Sequence, residues 1–344
     1  MAKLKRYYAI DGLRAFAAIG IVAMHVMVNT GFRLPELVSK VVGSLGVAVY
    51  LFMAVSAFSM CCGYYDQVIS GKISIVDFYK RRFSKVLPFF ATLCVIDVII
   101  SPSANSLFEA FADMTLCFGL LPNATMTVIG VGWFLGLVFV FYFMFPFFCF
   151  LIEDKKRAWF SFVIAVIYNL LCEVYFFNTN HVIEGFDFRT NILYSAPYFL
   201  LGGILYLYKD AIPTKLSSRP VISLLIGLFA YLMLAFTGEN IWILLLMCWA
   251  FLTAAIQYGQ QHCILNNKIV HNISSISLEI YLCHMAVFRV VEKTVIPLAR
   301  SESPFMYVLV FVIVLLGAIL FATVFHKAQC ALHQRHAINN VGVD

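Results

Sequence analysis

AIDGLRAFAAIGIVAMHVMV, residues 9–28, is the stretch of sequence that decides the fold. Nearly every side chain in it is apolar, and twenty residues of α-helix are about 30 Å long, the thickness of the hydrocarbon core of a bilayer. The chain of 344 residues is 62% hydrophobic and only 12% charged, too little charge for the surface of a water-soluble protein of this size. The composition therefore predicts an all-α, polytopic integral membrane protein.

Further apolar runs of about 17–22 residues, long enough to cross a bilayer, follow the first one. The ten predicted membrane-spanning helices cover residues 8–29, 43–63, 86–102, 131–152, 158–177, 191–207, 220–236, 241–258, 274–291 and 305–325. The stretch 107–121 is shorter, contains Glu109 and Asp113, and lies between Pro102 and Pro122. We predict an interfacial or re-entrant segment there, on the outer side; an eleventh span is the alternative.

The distribution of lysine and arginine tests this count. With a cytoplasmic N-terminus, ten spans place 17 of the 24 basic residues on the cytoplasmic side and five outside, and Arg14 and Arg289 fall within spans. This bias is the positive-inside pattern, which an eleventh crossing would destroy. Both termini are therefore predicted to be cytoplasmic. The net charge of +6 follows from topology, so no nucleic-acid partner is needed to explain it.

Nothing in the sequence divides the chain into separate domains. We expect one membrane domain over residues 1–344, with a core at 7–325, no appended soluble domain and no cleavable signal peptide. The ten cysteines are scattered through apolar runs without a CxxC pair, which is typical of packing residues, and no metal site is expected. The oligomeric state is not predicted.

Polar residues within the predicted spans indicate where function lies, because each costs at least about 2.5–3.5 kcal/mol to insert. Arg14 and His25 are eleven residues apart, which is about 16 Å along a helix and close to three full turns. Both side chains therefore project from one face, Arg14 near the cytoplasmic end and His25 toward the outer end. A headgroup anchor and a packing histidine are the structural alternatives. Their shared stripe favours a polar passage instead.

Two other stretches carry polar groups that suit a buried site. Ser277, Tyr281 and His284 in SISLEIYLCH fall at i, i+4 and i+7, again one helical stripe, while Glu279 lies off it. The cytoplasmic run DFYKRRFSKVLP, 77–88, reads either as ordinary positive-inside charge or as a phosphate-binding edge, since arginine pairs with phosphate through two parallel hydrogen bonds.

Together these stretches resemble the acyltransferase 3 family of integral membrane O-acyltransferases, over about residues 7–325. The family's best-known mark is an arginine and a histidine separated by ten residues in the first helix, and Arg14 and His25 match it. The other matching stretches are GVAVYLFMAVSAF at 46–58, RRFSKVLP at 81–88, WFLGLVFVFYFMFP at 133–146, YFLLGGILY at 198–206 and SLEIYLCH at 277–284.

The chain departs from the family pattern at a few positions. Ala57 stands where glycine is usual, and Lys85 replaces the second arginine of the Arg-x-x-Arg-x-x-Pro motif. Many members carry acidic residues five and six positions after the fourth-region tryptophan, where this chain has Val138 and Phe139. Other branches also lack these acids, so the change indicates a branch without that carboxylate rather than an inactive protein.

The resemblance implies transfer of an acyl group, usually acetyl, from cytoplasmic acyl-CoA to a hydroxyl of a cell-surface or lipid-linked carbohydrate. It also implies a multi-pass protein of the inner (plasma) membrane, with acyl-CoA as co-substrate and no bound cofactor. His25 would be catalytic, as general base or transient acyl carrier. The expected donor-binding residues are Arg14, Arg82 and Lys85, and the expected supporting or orienting residues are Ser56, Trp133, Tyr281 and His284.

A transporter or exporter of polysaccharide or a small solute, with no covalent step, is the alternative function. Ten helices and intramembrane charges suit it equally well. The sequence has no internal repeat and no matched pair of Gly/Pro-broken helices in two halves, which are the usual signs of a transporter. The glycan, the hydroxyl acylated and the choice between acetyl and succinyl are not predicted.

Overall fold

The computed structural model describes residues 7–121, 126, 128–215, 220–298 and 303–341. The structure is 82% helical, and the described residues form no β-strand. Its α-helices are α1 Tyr8–Asn29, α2 Glu36–Gly43, α3 Ala48–Met60, α4 Asp66–Ile69, α5 Ile75–Ile100, α6 Ala104–Met114, α7 Trp133–Ile152, α8 Lys155–Leu171, α9 Ile192–Leu207, α10 Ile212–Lys215, α11 Pro220–Thr237, α12 Ile241–Tyr258, α13 Lys268–Ser275, α14 Ser277–Thr294 and α15 Pro304–Val341.

Among the described residues, eight helical segments are long and apolar enough to cross a membrane, and α13 with α14, bent by 69°, make a ninth if counted together. The predicted span at 191–207 corresponds to α9, which is apolar but only 16 residues long. The all-α membrane architecture is thus confirmed. The number of crossings and the sides of the termini stay predictions, and the basic residues at 1–6 lie outside the described part.

Observed helix ends differ from the predicted spans where polar flanks continue a helix. The second span is continuous from Glu36 to Ile69, passing through a 3-10 turn and a π-helical turn, and α5 begins at Ile75, eleven residues before the predicted start. The Ser74 hydroxyl caps α5 by accepting a hydrogen bond from the Asp77 amide, which accounts for this early start.

The first helix has many neighbours. It packs against α2, α3, α12, α13, α14 and α15, and half of its most apolar 18-residue stretch is buried. A Cβ atom on Gly12 would lie 2.1 Å from the carbonyl oxygen of Leu265, so only glycine allows the loop after α12 to approach α1 this closely. The stretch that decides the fold is therefore also its core.

Candidate active site

A cleft lies between α1, α3, α5, α7 and α14, at the end of the bundle that holds the run 77–88. Its volume is about 370 Å³, within the range of small-molecule sites. The charged side chains that line it in the described structure are Arg14, Arg82, Lys85 and Glu279. The three predicted donor-binding residues are therefore brought together, although they come from two helices far apart in sequence.

Arg14 reaches the cleft from the first two turns of α1. Its Nη1 atom lies 3.2 Å from the Asp11 carboxylate, one turn earlier on the same helix, and 28% of its side chain is exposed. This ion pair holds the guanidinium at the cleft wall while engaging only part of its five-donor fork. Arg14 can thus bind an anion that enters the cleft.

Arg82 has aromatic neighbours instead of an acidic one. Its guanidinium carbon lies 4.5 Å from the ring centre of Tyr64 and 5.9 Å from that of Tyr142, its Nη2 donates to the Tyr64 hydroxyl, and its Nη1 lies 3.4 Å from the Met60 sulfur. No carboxylate in the described part of the chain lies within salt-bridge distance of it. An oriented cation without a counter-ion is suited to binding a phosphate.

Three aromatic rings close the inner end of the cleft. The ring centres of Phe52, Phe134 and Tyr281 are 5.6–6.2 Å apart from one another, and all three residues line the cleft. We call this cluster the aromatic wall. The predicted supporting residue Ser56 also lines the cleft, as does Val138.

The two predicted histidines lie beyond the aromatic wall rather than in the cleft. The ring of His284 is 6.1 Å from that of Tyr281, and the ring of His25 is 5.1 Å from that of His284. His284 is completely buried and His25 is half-buried. The residues thus form a series from the basic cleft through Tyr281 to a histidine pair in the opposite half of the bundle.

The side chain of Tyr281 contributes to this site mainly through its ring. Its hydroxyl donates a hydrogen bond of 2.8 Å to the backbone carbonyl of Val131, at the start of α7. The phenol's one hydrogen is therefore occupied in this conformation and is not directed at a reacting oxygen. The bond fixes α14 against the residues that precede α7 and so holds the aromatic wall in place.

Trp133 lies at the edge of the aromatic wall: its ring centre is 5.8 Å from that of Phe134, although Trp133 itself is not among the residues that line the cleft. The guanidinium of Arg189, which forms a bidentate ion pair with Asp187, lies 5.2 Å from the centre of its ring. Arg189 lies in the short 3-10 helix Phe188–Thr190, just before α9. Trp133 thus lies between Phe134 of the aromatic wall and the Arg189–Asp187 ion pair.

Glu279 and Tyr64 are among the cleft residues that were not predicted as site residues. Glu279 was read as lying off the Ser277–His284 stripe, yet it lines the cleft; an acid inside a predicted span was the signal that could have identified it. Tyr64 carried no such signal, because its contact with Arg82 joins the end of one helix to the next.

The substitution of alanine for the usual glycine at position 57 is accommodated by α9. Ala57 is fully buried, and a Cβ atom on Gly202 would lie 3.0 Å from the Cβ of Ala57 and 2.1 Å from the Ala54 carbonyl oxygen. Because Gly202 has no side chain, α3 and α9 pack closely even with a methyl group at 57. The described residues contain no cluster of three His, Cys, Asp or Glu side chains that could hold a metal ion.

Comparison with known proteins agrees with this geometry. A family model of the acyltransferase domain, Acyl_transf_3, matches residues 7–327, nearly the whole chain. No significant match to a curated protein or to a solved structure was found. The chain therefore belongs to the acyltransferase 3 family and is a multi-pass membrane acyltransferase.

Proposed function

We propose that this protein is an acyl-CoA-dependent O-acyltransferase of the inner (plasma) membrane that acylates a hydroxyl of a cell-surface or lipid-linked carbohydrate. The observation that carries the proposal is the series of groups across the bundle, from the basic cleft to the histidine pair. A donor with an anionic head and a long, neutral arm fits this series, since acyl-CoA has its phosphates at one end and its thioester at the other.

The donor's phosphates bind Arg14 and Arg82 at the mouth of the cleft, with Lys85 assisting. The distance along α1 from Arg14 to His25 is about 16 Å, which is on the order of the length of the pantetheine arm. The arm follows α1 toward the aromatic wall and carries the thioester in the direction of His25. Rotation of a ring of the aromatic wall then opens the path between cleft and histidine pair.

His25 removes the proton of the acceptor hydroxyl as its oxygen attacks the thioester carbonyl carbon. The carbon–sulfur bond breaks, the CoA thiolate leaves, and it takes the proton back from the His25 imidazolium. The products are the ester and CoASH, and His25 is regenerated. In the second form of this mechanism His25 attacks the thioester itself and carries the acyl group to the hydroxyl.

The test uses the purified full-length protein in nanodiscs with radiolabelled acetyl-CoA, and measures release of CoA and transfer of label to glycan. We expect activity in the wild type, near-complete loss in His25→Ala, and no change in His262→Ala, an exposed histidine used as the control. Full activity of a correctly inserted His25→Ala protein would refute the mechanism. Solute uptake by vesicles without CoA release would support the transporter instead. To distinguish the two forms of the mechanism, the protein is incubated with labelled acetyl-CoA without acceptor and quenched with acid. Label that stays on the protein indicates the acyl-histidine form, and unlabelled protein indicates direct transfer.

A further inference from the structure

The hydrogen bond of His284 fixes which of its nitrogens carries a proton. His284 is completely buried in α14, and its Nδ1 lies 2.7 Å from the backbone carbonyl oxygen of Tyr281. A carbonyl oxygen can only accept a hydrogen bond, so Nδ1 must donate one. In the neutral imidazole, Nε2 is then the unprotonated nitrogen and can only accept.

This Nε2 acceptor has no hydrogen-bond partner in the described part of the chain. A buried acceptor left unpaired is destabilising, so such an atom needs a reason. Among the described residues, two polar rings lie beside His284, those of Tyr281 and His25. The Tyr281 hydroxyl already donates to the Val131 carbonyl, which leaves His25, with 5.1 Å between ring centres. That separation is bridged by one water molecule or by a small rotation of the half-buried His25 side chain.

We propose that His284 is a positioning residue whose Nε2 accepts a hydrogen bond, directly or through one water, from one ring nitrogen of His25. The proposal rests on the proposed function, in which His25 is the reacting histidine. A hydrogen bond at one nitrogen of neutral His25 places the proton there. The other nitrogen is then unprotonated and free to remove the hydroxyl proton or to attack the thioester.

The same hydrogen bond strengthens during the reaction. When His25 gains a proton at its free nitrogen, its N–H toward His284 becomes a charge-assisted donor. His284 stays neutral throughout, and the proton that His25 took leaves with the CoA thiol. A neutral acceptor stabilises the transient imidazolium without adding a permanent charge to the membrane interior, where a buried carboxylate in this role would be destabilising.

Two substitutions distinguish this role from simple packing, because each retains the hydrogen-bonding function of only one of the two ring nitrogens. His284→Asn places an amide where Nδ1 was and keeps the bond to the Tyr281 carbonyl, but removes the acceptor facing His25. His284→Gln places an amide oxygen near the Nε2 position and keeps that acceptor. We expect kcat to fall roughly 100-fold in H284N and less than about 10-fold in H284Q, with the KM for acyl-CoA unchanged in both.

A structural role would give the opposite order, because only asparagine keeps the backbone bond. Activity of H284N equal to or above that of H284Q therefore overturns the proposal, as does wild-type activity in both. If H284N does not fold, His284→Met replaces it: a kcat well below that of H284Q supports the proposal and an equal kcat overturns it. His25→Ala is measured in parallel. If it is inactive while H284N is fully active, this inference fails and the proposed function stands; if it is active, the proposed function itself fails.

Discussion

Arg81 and Arg82 are adjacent in α5 but have opposite surroundings. Arg82 is half-buried, lines the cleft and packs against Tyr64 and Tyr142, whereas Arg81 is exposed and does not line the cleft. Substitutions at these two positions can therefore distinguish a specific contact between Arg82 and an anion from the effect of the net positive charge at this end of the bundle. In sequence the two arginines are adjacent and equally basic. Arg82 was predicted as a residue that an anionic ligand meets first, and it is also the one that matches the family motif.

Substituting Arg82 should weaken donor binding without slowing the chemical step. Arg82→Gln removes a charge-assisted hydrogen bond to phosphate, worth about 1.5–3 kcal/mol, so we expect the KM for acyl-CoA to rise roughly 10- to 100-fold with kcat nearly unchanged. Steady-state kinetics against acyl-CoA concentration give both values. Arg81→Gln is the matched control and should leave KM within about twofold. Equal effects of the two substitutions would mean that only net charge matters.

At the residue scale, helical periodicity predicted part of the site. It placed Arg14 and His25 on one face of α1, and the structure has Arg14 at the cleft and His25 against His284. It could not predict the aromatic wall between them, because Phe52 and Phe134 lie on two other helices and look like ordinary core residues in sequence. Contacts between helices distant in the chain leave no periodic signal.

The short helix α6 is amphipathic, and its buried face includes the carboxylate of Asp113. Its 11 residues are about 17 Å long, too short to cross a bilayer. Phe108 and Phe111 are exposed, while Ala110 and Asp113 are buried, and neither carboxylate oxygen of Asp113 has a hydrogen-bond partner within the described residues. Burial, and next the negative charge of Glu109, raise the pKa of Asp113 to about 7.

Asp113 should therefore make the protein less stable as the pH rises. Its pKa is raised in the folded state, so the folded protein holds this proton between about pH 4 and pH 7 while the unfolded chain loses it, and stability falls across that window. We expect Asp113→Asn to raise the free energy of unfolding at pH 8 by about 4 kcal/mol at most, which appears as a higher unfolding temperature. The gain should shrink toward zero at pH 4.

The measurement is thermal unfolding in nanodiscs at both pH values. Glu184→Gln, at an exposed loop position, is the control for loss of one negative charge and should show no such difference. A gain of the same size at both pH values would show that the amide packs better, independently of ionisation.

The sequence predicted which segments are helical, but it did not predict the bend between two consecutive helices. The α13–α14 bend lies at Ile276, whose backbone has φ −121° and ψ 18°, outside the helical range. Ile276 is an apolar β-branched residue with no proline or glycine beside it, so no residue there marks a break. The predicted span 274–291 starts two residues before the bend, and the sequence did not predict α13 as a helix of its own. Ile276 is buried at the bend.

At the scale of the whole molecule, cross-bundle contacts test the alternative of an eleventh span. Several of these contacts join a residue before position 107 to a residue after position 121. An additional crossing within 107–121 would put the two partners of each contact on opposite sides of the membrane. The pairs are Tyr50 with Glu239 at 2.6 Å, Ser44 with Tyr231 at 3.1 Å and Asp97 with Arg289 at 2.9 Å. Ten spans place both members of every pair at the outer end, so the contacts favour that number.

Reporter fusions test this arrangement in the cell. A fusion ending after Asp154, between α7 and α8, should make green fluorescent protein fluorescent and leave alkaline phosphatase inactive, since ten spans put this loop in the cytoplasm. A fusion after Glu239, between α11 and α12, should give the reverse, and one after Ser70, before α5, should behave like the first. An eleventh crossing within 107–121 would invert both later fusions while leaving the one after Ser70 unchanged. The Ser70 fusion therefore separates an error in the number of crossings from an error in overall orientation, which would invert all three. It also decides whether the Arg82 cleft faces the compartment that contains acyl-CoA, as the proposed reaction requires.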